Sequence, residues 1–471
     1  MNIRRPNCRQ PVKGGIQPMD GTETAFPVQQ ALIQIRENVG PGLTDAISVE
    51  ASGSPYKIQT ALTVYPENEE QTAKLVRLAA ANDYGIVPQG GATKDAQGGV
   101  TGKADLLVSM KKMSGILHHS VSDLMVTALP GTTVAELQQA LRREGQFLPI
   151  DPAWGEQSTI GGMIASNGSG PKRALYGSAR DHLIASRVVL ADGSVIRTGA
   201  KVVKNVAGYD MNKLFVGSMG TIGILTELTF KIRPLPVSSG MLVYCPGNGG
   251  AIRQLHETLL DSQLEPCAAE LISSAVAGEL FGKAEPALAI LFEDVEASVS
   301  YQLEWVKSYA AGMGLKPLAE LRGFEATEPV VERLRAVTPN SNEMPSGRLA
   351  AALKLLSSLT DVPGISELAA ASAERAGLQL QFSGGLYTGI SHAAVYGDWW
   401  QLEDVVQWMK QMYASLGELN GTAVAAFAPK QVRSSVASWG TERSDHGLMQ
   451  GIKQQFDAAN LFNRGRFVGG I

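Results

Sequence analysis

Cysteine is scarce. The 471 residues include three, Cys8, Cys245 and Cys267, and no two of them form a CxxC or comparable pair. That spacing excludes an iron-sulfur cluster or a structural zinc site built within this chain. It offers no disulfide framework either, so a reducing compartment fits. Long apolar runs are missing: none approaches the roughly 18 to 20 residues of a membrane-spanning helix. Basic excess is missing as well. With 41 Lys and Arg against 45 Asp and Glu, the formal net charge is -4, and a surface that tracks nucleic-acid phosphates is not indicated. The opening "MNIRRPNCRQPVKGG" carries charge without an apolar core, which argues against a secretory leader and for a solvated extension. The expected location is cytoplasmic.

Glycine is what the chain has in quantity. Its 51 glycines exceed the usual share of about 7%, and the excess falls largely between Gly90 and Gly223. Such clustering marks tight turns or places where bare backbone touches a ligand. At this length two or three domains are expected.

The segment "NEEQTAKLVRLAAANDYG" predicts a helix capped by Asn68 with Gln71 at the capping-box spacing. Thr72, Leu75, Val76 and Ala79 share its inner face, and Gly85 is the expected stop. Ile86 and Val87 then form a short strand that leads into "PQGGATKDAQGG". "DLLVSM" and "DLMVTALPG" are strand candidates, with His118 and His119 in the turn between them. A second capped helix, "TTVAELQQALRREG", pairs Thr133 with Glu136, turns Val134, Leu137 and Leu141 inward and ends at Gly145. "IASRVVLADGSVIRTG" reads as a hairpin turning at Ala191, Asp192 and Gly193. Prolines 234 and 236 punctuate a boundary. Beyond them, "ALAILFEDV" with "VSYQLEWVKSYAAGMG", and "ISHAAVYG" with "WWQLEDVVQWMKQMYASLG", are two similar strand and helix passes. They predict an antiparallel sheet with helices on one face. In the last helix Trp400, Val405, Val406 and Met409 are the expected core positions.

Two loops carry the chemical signal, "PQGGATKDAQGG" and "TIGGMIASNGSG". Successive N-H groups in glycine turns form anion-cradling nests. Neither loop is a P-loop, since no GK[ST] follows, and neither is the GxGxxG fingerprint of a Rossmann unit. Read alone, either is a structural turn as readily as a ligand cradle; two in one region, each after a strand, favour the cradle.

These loops, together with "YGSARDHLIASRVVLADGSVIRTG", "NVAGYDMNKLFVGSMGTIGILTELTFKIRP" and the tail "FNRGRFVGGI", resemble the vanillyl-alcohol oxidase and p-cresol methylhydroxylase flavoprotein family. Within it they are most similar to the FAD-binding subunits of glycolate oxidase (glycolate dehydrogenase). The resemblance implies an α+β fold: a two-subdomain FAD-binding domain followed by a ferredoxin-like cap, with the C-terminal tail returning to the FAD domain. Residues 1–54 would be an extension with a leading helix, 55–236 the FAD-binding domain, 237–440 the cap, and 441–471 the returning helix and tail.

Carried onto this chain, the resemblance puts the pyrophosphate against Pro88, Gly90, Gly91, Ala92, Thr93 and Gly98. Asp151, Thr159, Ile160, Gly161, Gly162, Ala165, Ser166, Asn167 and Gly168 would line the pyrophosphate and ribityl chain, with Tyr176 and Gly177 nearby. Gly223, Ile224 and Thr226 would hold the adenine half. FAD is expected to be non-covalent, because the loop offers Thr93 and Lys94 and no histidine, and no cysteine lies between Cys8 and Cys245.

Related 2-hydroxyacid dehydrogenases carry HxGDGNxH and EHG motifs in the cap. Here the corresponding stretches read "SGGLYTGISHAAV" and "NGTAVAAFAPKQVRSSVASWG", without a glutamate-histidine pair, so no metal is expected. His392, Tyr209 and Arg466 remain as catalytic candidates, Arg466 as a positive group near the flavin. The implied function is an FAD-binding subunit of a glycolate (2-hydroxyacid) oxidising complex. Its partners would be a catalytic flavoprotein subunit and an iron-sulfur subunit that passes electrons toward quinone, with contact to the inner face of the membrane through the complex. A self-sufficient FAD oxidoreductase for another small hydroxyacid or alcohol, and a redox-inactive scaffold, are the alternatives.

Overall fold

The computed structural model describes residues 26–40, 54–102, 104–200, 209–245, 249–344, 347–440 and 444–471. Cys8, the opening extension and most of "NVAGYD" lie outside the described residues. Among the described residues three larger sheets organise the chain, beside a two-stranded one that pairs Arg233–Pro234 with Gln146–Phe147. The first is parallel, in the order Leu62–Val64, Leu106–Ser109, Ile86–Gln89. Helix Glu69–Asn82 buries Thr72, Leu75, Val76 and Ala79 against it, and Asn68 accepts a hydrogen bond from the Gln71 N-H at 2.9 Å. The helix stops earlier than expected. Asp83 takes the left-handed conformation (φ 52°) that ends it, ahead of Gly85; a short polar side chain tolerates that backbone.

The second sheet is antiparallel, in the order Ile116–Ser120, Met125–Ala128, Ile224–Lys231, Leu183–Val189, Val195–Gly199. Its last two strands are the expected hairpin, closed by the Gly193 N-H on the Leu190 carbonyl. His118 and His119 stand in a strand rather than a turn, and the His119 ring bonds Gln146 Oε1 at 2.8 Å. Helix Val134–Arg142 carries the full Thr133/Glu136 capping box and buries Val134, Leu137 and Leu141. Losing the Thr133 hydroxyl would cost about 1 kcal/mol.

The third sheet has eight strands and two ferredoxin-like βαββαβ halves. In the first half Lys316–Arg322, Ser238–Cys245, Ala287–Asp294 and Ala268–Ile272 lie side by side. In the second the order is Gln379–Gly385, Ile390–Asp398, Arg348–Leu356, Thr422–Phe427. Strand Ala268–Ile272 pairs antiparallel with Gln379–Gly385, so each half donates its second strand to the seam.

Helices stand on both faces, not one. Gly249–Leu260, Glu296–Ala311, Val362–Arg375 and Leu402–Glu418 cover the outer face, packing on residues such as Leu242, Ile290, Leu353 and Ala423. Ser274–Phe281 and Phe324–Arg335 take one part of the inner face, against Val243, Ala289 and Leu291. The rest of that face is small, with Ala350, Ala352 and Ala394, and small side chains leave room for a cavity. Val405, Val406 and Met409 are buried as expected, but Trp400 is 77% exposed because it precedes the helix in a 3-10 turn.

The C-terminal tail comes back to the first sheet. The Ile86 N-H donates to the Leu461 carbonyl and the Asn463 N-H to that of Ile86. Buried Lys453 locks the return by donating to Thr221 O, Phe462 O and the Asp457 carboxylate.

Candidate active site

Three adjoining cavities run through the space between the sheets. The outer one lies between Pro88, Gly90, Gly161, Gly162, Gly223 and Ile224. The middle one is bounded by residues 88–95, by Thr159, Gly162, Ala165 and Ser166, and by Asn463 and Arg466 of the tail. The inner one reaches the cap sheet at Lys354, His392, Ser383 and Glu270. Shared walls join them: Gly90, Thr159 and Gly162 border the outer and middle cavities, while Thr93, Lys94 and Ser166 border the middle and inner ones.

Local chain chemistry shapes this channel. Thr159 caps helix Ile160–Ser166 by accepting from the Gly162 N-H at 3.2 Å, and Asn167 ends the helix in the left-handed region. Nine described non-glycine residues have such a φ, and five of them, Ala92, Trp154, Asn167, Met219 and Asn463, line the cavities. Strained backbone concentrated along one channel is the pattern of a binding site.

The residues fit an elongated anionic cofactor. Among the described residues, the main-chain N-H groups of Gly91, Ala92 and Thr93 have no hydrogen-bond acceptor, and the buried Asn167 Oδ1, Asn463 Oδ1 and Arg466 Nε atoms have no partner. The N-H groups and Arg466 Nε are free donors, which phosphate oxygens require, while the two Oδ1 atoms are free to accept from a ligand hydroxyl. A strap from the cap holds the loop in place. Asn342 Nδ2 donates to the Gly91 carbonyl at 2.9 Å, the Ser341 N-H to the Thr93 carbonyl at 3.2 Å, and Ser341 Oγ accepts from the Ala96 N-H at 3.1 Å. Asn340 and Asn342 both donate to Gln157 Oε1.

At the inner end a polar stripe crosses the cap sheet. Lys354 stands opposite His392 in the ladder, and His392 opposite Ser383. Ser383 Oγ donates to Glu270 Oε2 at 2.7 Å on the next strand. Arg173 faces the same space, donating to Ser169 Oγ at 3.0 Å. Lys94 enters from the loop and donates to Ser166 Oγ at 2.9 Å.

Burial pulls the Lys94 ammonium down to about 8, with Lys354 adding repulsion, and pulls Lys354 to about 8 with help from Arg173. His392 falls to about 3, through burial first and then through Lys354, Lys94 and Arg173. Glu270 rises to about 8 because it is buried; the Ser383 bond opposes that rise and Asp151 adds to it. At neutral pH the inner cavity therefore holds cations, a neutral imidazole and a neutral carboxylic acid. Such a space attracts an anion. Among the described residues no three His, Cys, Asp or Glu side chains converge. This donor set does not fit the divalent metal implied by the cap motifs of related dehydrogenases.

Most of the expected residues meet along the channel. Pro88, Gly90, Gly91, Ala92, Thr93, Thr159, Gly161, Gly162, Ala165, Ser166, Asn167, Gly168, Gly223 and Ile224 all line it, as do His392 and Arg466. Others do not. Tyr209 is 92% exposed and lines none of the three cavities. Ile160 is core. Asp151 spends its carboxylate on the Gly170 and Lys172 N-H groups, and Thr226 donates to Glu69. Gly98 packs under Trp439 and donates to the Ala425 carbonyl. Tyr176 donates to Glu293 at 2.9 Å, beside a separate cavity, and Gly177 packs on Asp181. Arg466 Nη2 is held by the Lys94 carbonyl at 2.6 Å, so Lys94 rather than Arg466 stands where the middle and inner cavities meet. Lys354, Glu270 and Ser383 escaped the motif reading. Their signal is a single polar residue in an apolar strand, as in "RLAAALKLL" and "AAELI".

Comparison with known proteins agrees with this geometry. Residues 60–199 match the FAD binding domain family. Glycolate oxidase subunit GlcD of Bacillus subtilis is 26% identical over 93% of this chain and 96% of its own. Glycolate oxidase subunit GlcE of Escherichia coli is 38% identical over 35% of this chain, and the match spans 47% of that subunit, under half its length. In structure, 4-ethylphenol oxidase from Gulosibacter chungangensis superposes with a TM-score of 0.73 at 15% identity, covering 94% of this chain and 97% of that one. A substrate-bound p-cresol methylhydroxylase gives 0.72 at 14%, covering 93% and 96%. Bare backbone along an elongated channel, a duplicated cap sheet and these likenesses together identify residues 60–199 as an FAD binding domain in a chain with the fold of p-cresol methylhydroxylase, an FAD-dependent oxidoreductase related to glycolate oxidase subunits.

Proposed function

We propose that this chain is the FAD-binding subunit of a complex that oxidises a small 2-hydroxy acid such as glycolate, and that it takes the acid in its own inner cavity. In this reading residues 55–236 form the FAD-binding domain, 237–440 the cap and 441–471 the returning tail. FAD is held non-covalently, its phosphates on the free N-H groups of residues 91–93. Electrons pass to an iron-sulfur subunit and on to quinone, beside a second flavoprotein subunit. The observation that supports it is the convergence of Lys94, Arg173 and Lys354 on an uncharged His392 at the end of the channel.

The chemistry follows from those groups. The cations hold and orient the carboxylate. When the His392 Nδ1-H donates to Thr338 Oγ1, 3.0 Å away, its Nε2 presents a lone pair to the hydroxyl proton. The incoming carboxylate offsets the cations that depress the ring, so its basicity rises as substrate binds. Bound FAD supplies the acceptor for the hydride that leaves the carbinol carbon, and a 2-oxo acid results.

A self-sufficient oxidoreductase is the second reading, supported by the same cavity, which contains a proton acceptor and an anion site in one chain. Anaerobic mixing of the FAD-loaded chain with glycolate or lactate tests both. Bleaching of the flavin by substrate supports chemistry on this chain, and reoxidation that requires partner subunits supports the complex. A flavin that stays oxidised with every 2-hydroxy acid overturns the assignment and leaves the redox-inactive scaffold.

A further inference from the structure

Thr338 Oγ1 lies 3.0 Å from His392 Nδ1, and both residues line the inner cavity. Among the described residues neither the ring nor this hydroxyl has another hydrogen-bond partner. The contact admits two arrangements, because a hydroxyl has one proton to give and lone pairs with which to receive. Either the hydroxyl donates to a bare Nδ1 and the ring proton sits on Nε2, or Nδ1-H donates to Oγ1 and Nε2 is bare.

The surroundings separate the two. With Nδ1 turned to Thr338, Nε2 is left to face the cavity that Lys94, Arg173 and Lys354 also line. Those three are the charges that act on the ring, and an ammonium or guanidinium offers donors and no acceptor. A proton on Nε2 would point among like-signed groups, whereas a lone pair there is stabilised by them. The ring proton belongs on Nδ1, where an oxygen waits to receive it.

The threonine is itself held. Trp154 Nε1 donates to its carbonyl at 3.2 Å, Val337 before it is buried in the cap core, and the Ser341 N-H three residues on is bonded to the Thr93 carbonyl. Branching at Cβ restricts its χ1 angle further. A hydroxyl fixed in this way aims the ring that donates to it.

We infer that Thr338 is a positioning residue: it accepts the Nδ1 proton of His392, keeps Nε2 bare toward the cavity, and turns its own hydroxyl proton to a bound anion. This rests on the reading above, in which His392 takes the hydroxyl proton of a 2-hydroxy acid, and deepens it. The Thr338 hydroxyl finds no acceptor elsewhere among the described residues, so the carboxylate drawn in by the cations receives it. When the substrate proton passes to Nε2, the ring carries a proton on each nitrogen and the Thr338 contact is unchanged. One side chain both aims the base and helps to seat the acid.

Nitrogen NMR of the FAD-loaded chain, labelled in its six histidines, tests this at pH 7; the His392 signals are those lost in His392→Gln. A neutral ring with its proton on Nδ1 is expected. Thr338→Val keeps the shape and removes the acceptor. It should move the proton toward Nε2 and slow flavin reduction by glycolate about tenfold or more, with FAD content unchanged. Thr338→Ser, which keeps the hydroxyl, should restore both the tautomer and the rate. A wild-type ring protonated on Nε2, or a tautomer that is the same in Thr338→Val, overturns the inference. The nitrogen signals need no substrate, so the reading beneath fails separately: a ring protonated on Nδ1, in a chain whose flavin no 2-hydroxy acid reduces, supports the placement of the proton and overturns the catalytic reading alone.

Discussion

Lys354 and His392 face one another across adjacent antiparallel strands, a cation in register with a ring that stays uncharged. The pairing is unfavourable for the empty protein and useful once an anion arrives. Since the folded pKa of Lys354 is depressed, its stabilising contribution is present above the unfolded pKa and is lost as pH falls through about 8. Lys354→Met should therefore raise stability near pH 7 by about 1 to 3 kcal/mol, and weaken glycolate binding at least tenfold. Denaturant melts and calorimetry on the same preparations check both. A variant that is less stable yet binds normally contradicts this account.

His392 is depressed as well, so it remains neutral far below the usual imidazole range. Its stabilising contribution holds above pH 6.5 and is lost as pH falls through about 3. The rate of flavin reduction should show no inflection near pH 6.5 in the free-enzyme profile. His392→Gln should slow reduction at least a hundredfold with FAD retained. An inflection near 6.5 that vanishes in the variant would point to an ordinary solvated imidazole.

Gly161 and Gly162 make different demands. A Cβ on Gly161 would come within 2.7 Å of Pro130 Cβ, whereas the nearest atom to one on Gly162 is Thr159 Oγ1 at 3.3 Å. Gly161→Val should lower the melting temperature through overpacking of about 1 to 3 kcal/mol. Gly162→Val should fold and lose FAD, because its branches enter the outer and middle cavities. Absorbance ratios of flavin to protein separate the two outcomes; full flavin in Gly162→Val counts against the channel assignment.

The strap is testable through Asn340, which is buried and holds both Gln157 and the Asn342 N-H. Asn340→Ala should cost about 1 to 3 kcal/mol and speed FAD release, since the loop of residues 91–96 loses its tether. Stopped-flow release into an excess of an apoprotein specific for FAD reports the rate. Unchanged release would make the strap ornamental to cofactor retention.

Lys172 lies between Glu293 at 2.7 Å and Glu328 at 2.9 Å. Burial lowers its pKa, and the two carboxylates more than reverse that, leaving it raised. Lys172→Met strands the Glu293 carboxylate, which is nearly fully buried, and should cost about 3 to 5 kcal/mol. Adding Glu293→Gln should recover part of the loss in a double-mutant cycle; strict additivity argues that the two act independently.

Local grammar was legible where the signal is local. The Thr133/Glu136 box, the hairpin at Gly193 and the inner face of helix Glu69–Asn82 all follow from short-range rules. The glycine loops announced the channel because the backbone beside it must be bare. Tyr176 and Thr226 misled, since hydroxyls adjacent in sequence to a cradle turned to Glu293 and Glu69 instead. The inner cavity was hidden for a different reason. Lys354, His392, Ser383 and Glu270 come from four strands spread over more than a hundred residues, and only the register of the sheet brings them into line.

The seam between the two ferredoxin-like halves runs between Glu270 and Ser383, one residue from each. Any sliding of one half along the other by a single rung would part that pair while leaving Lys354 and His392 facing each other, since both belong to the second half. A shift at that join would thus reshape the inner cavity beside Glu270 while its basic end kept its register.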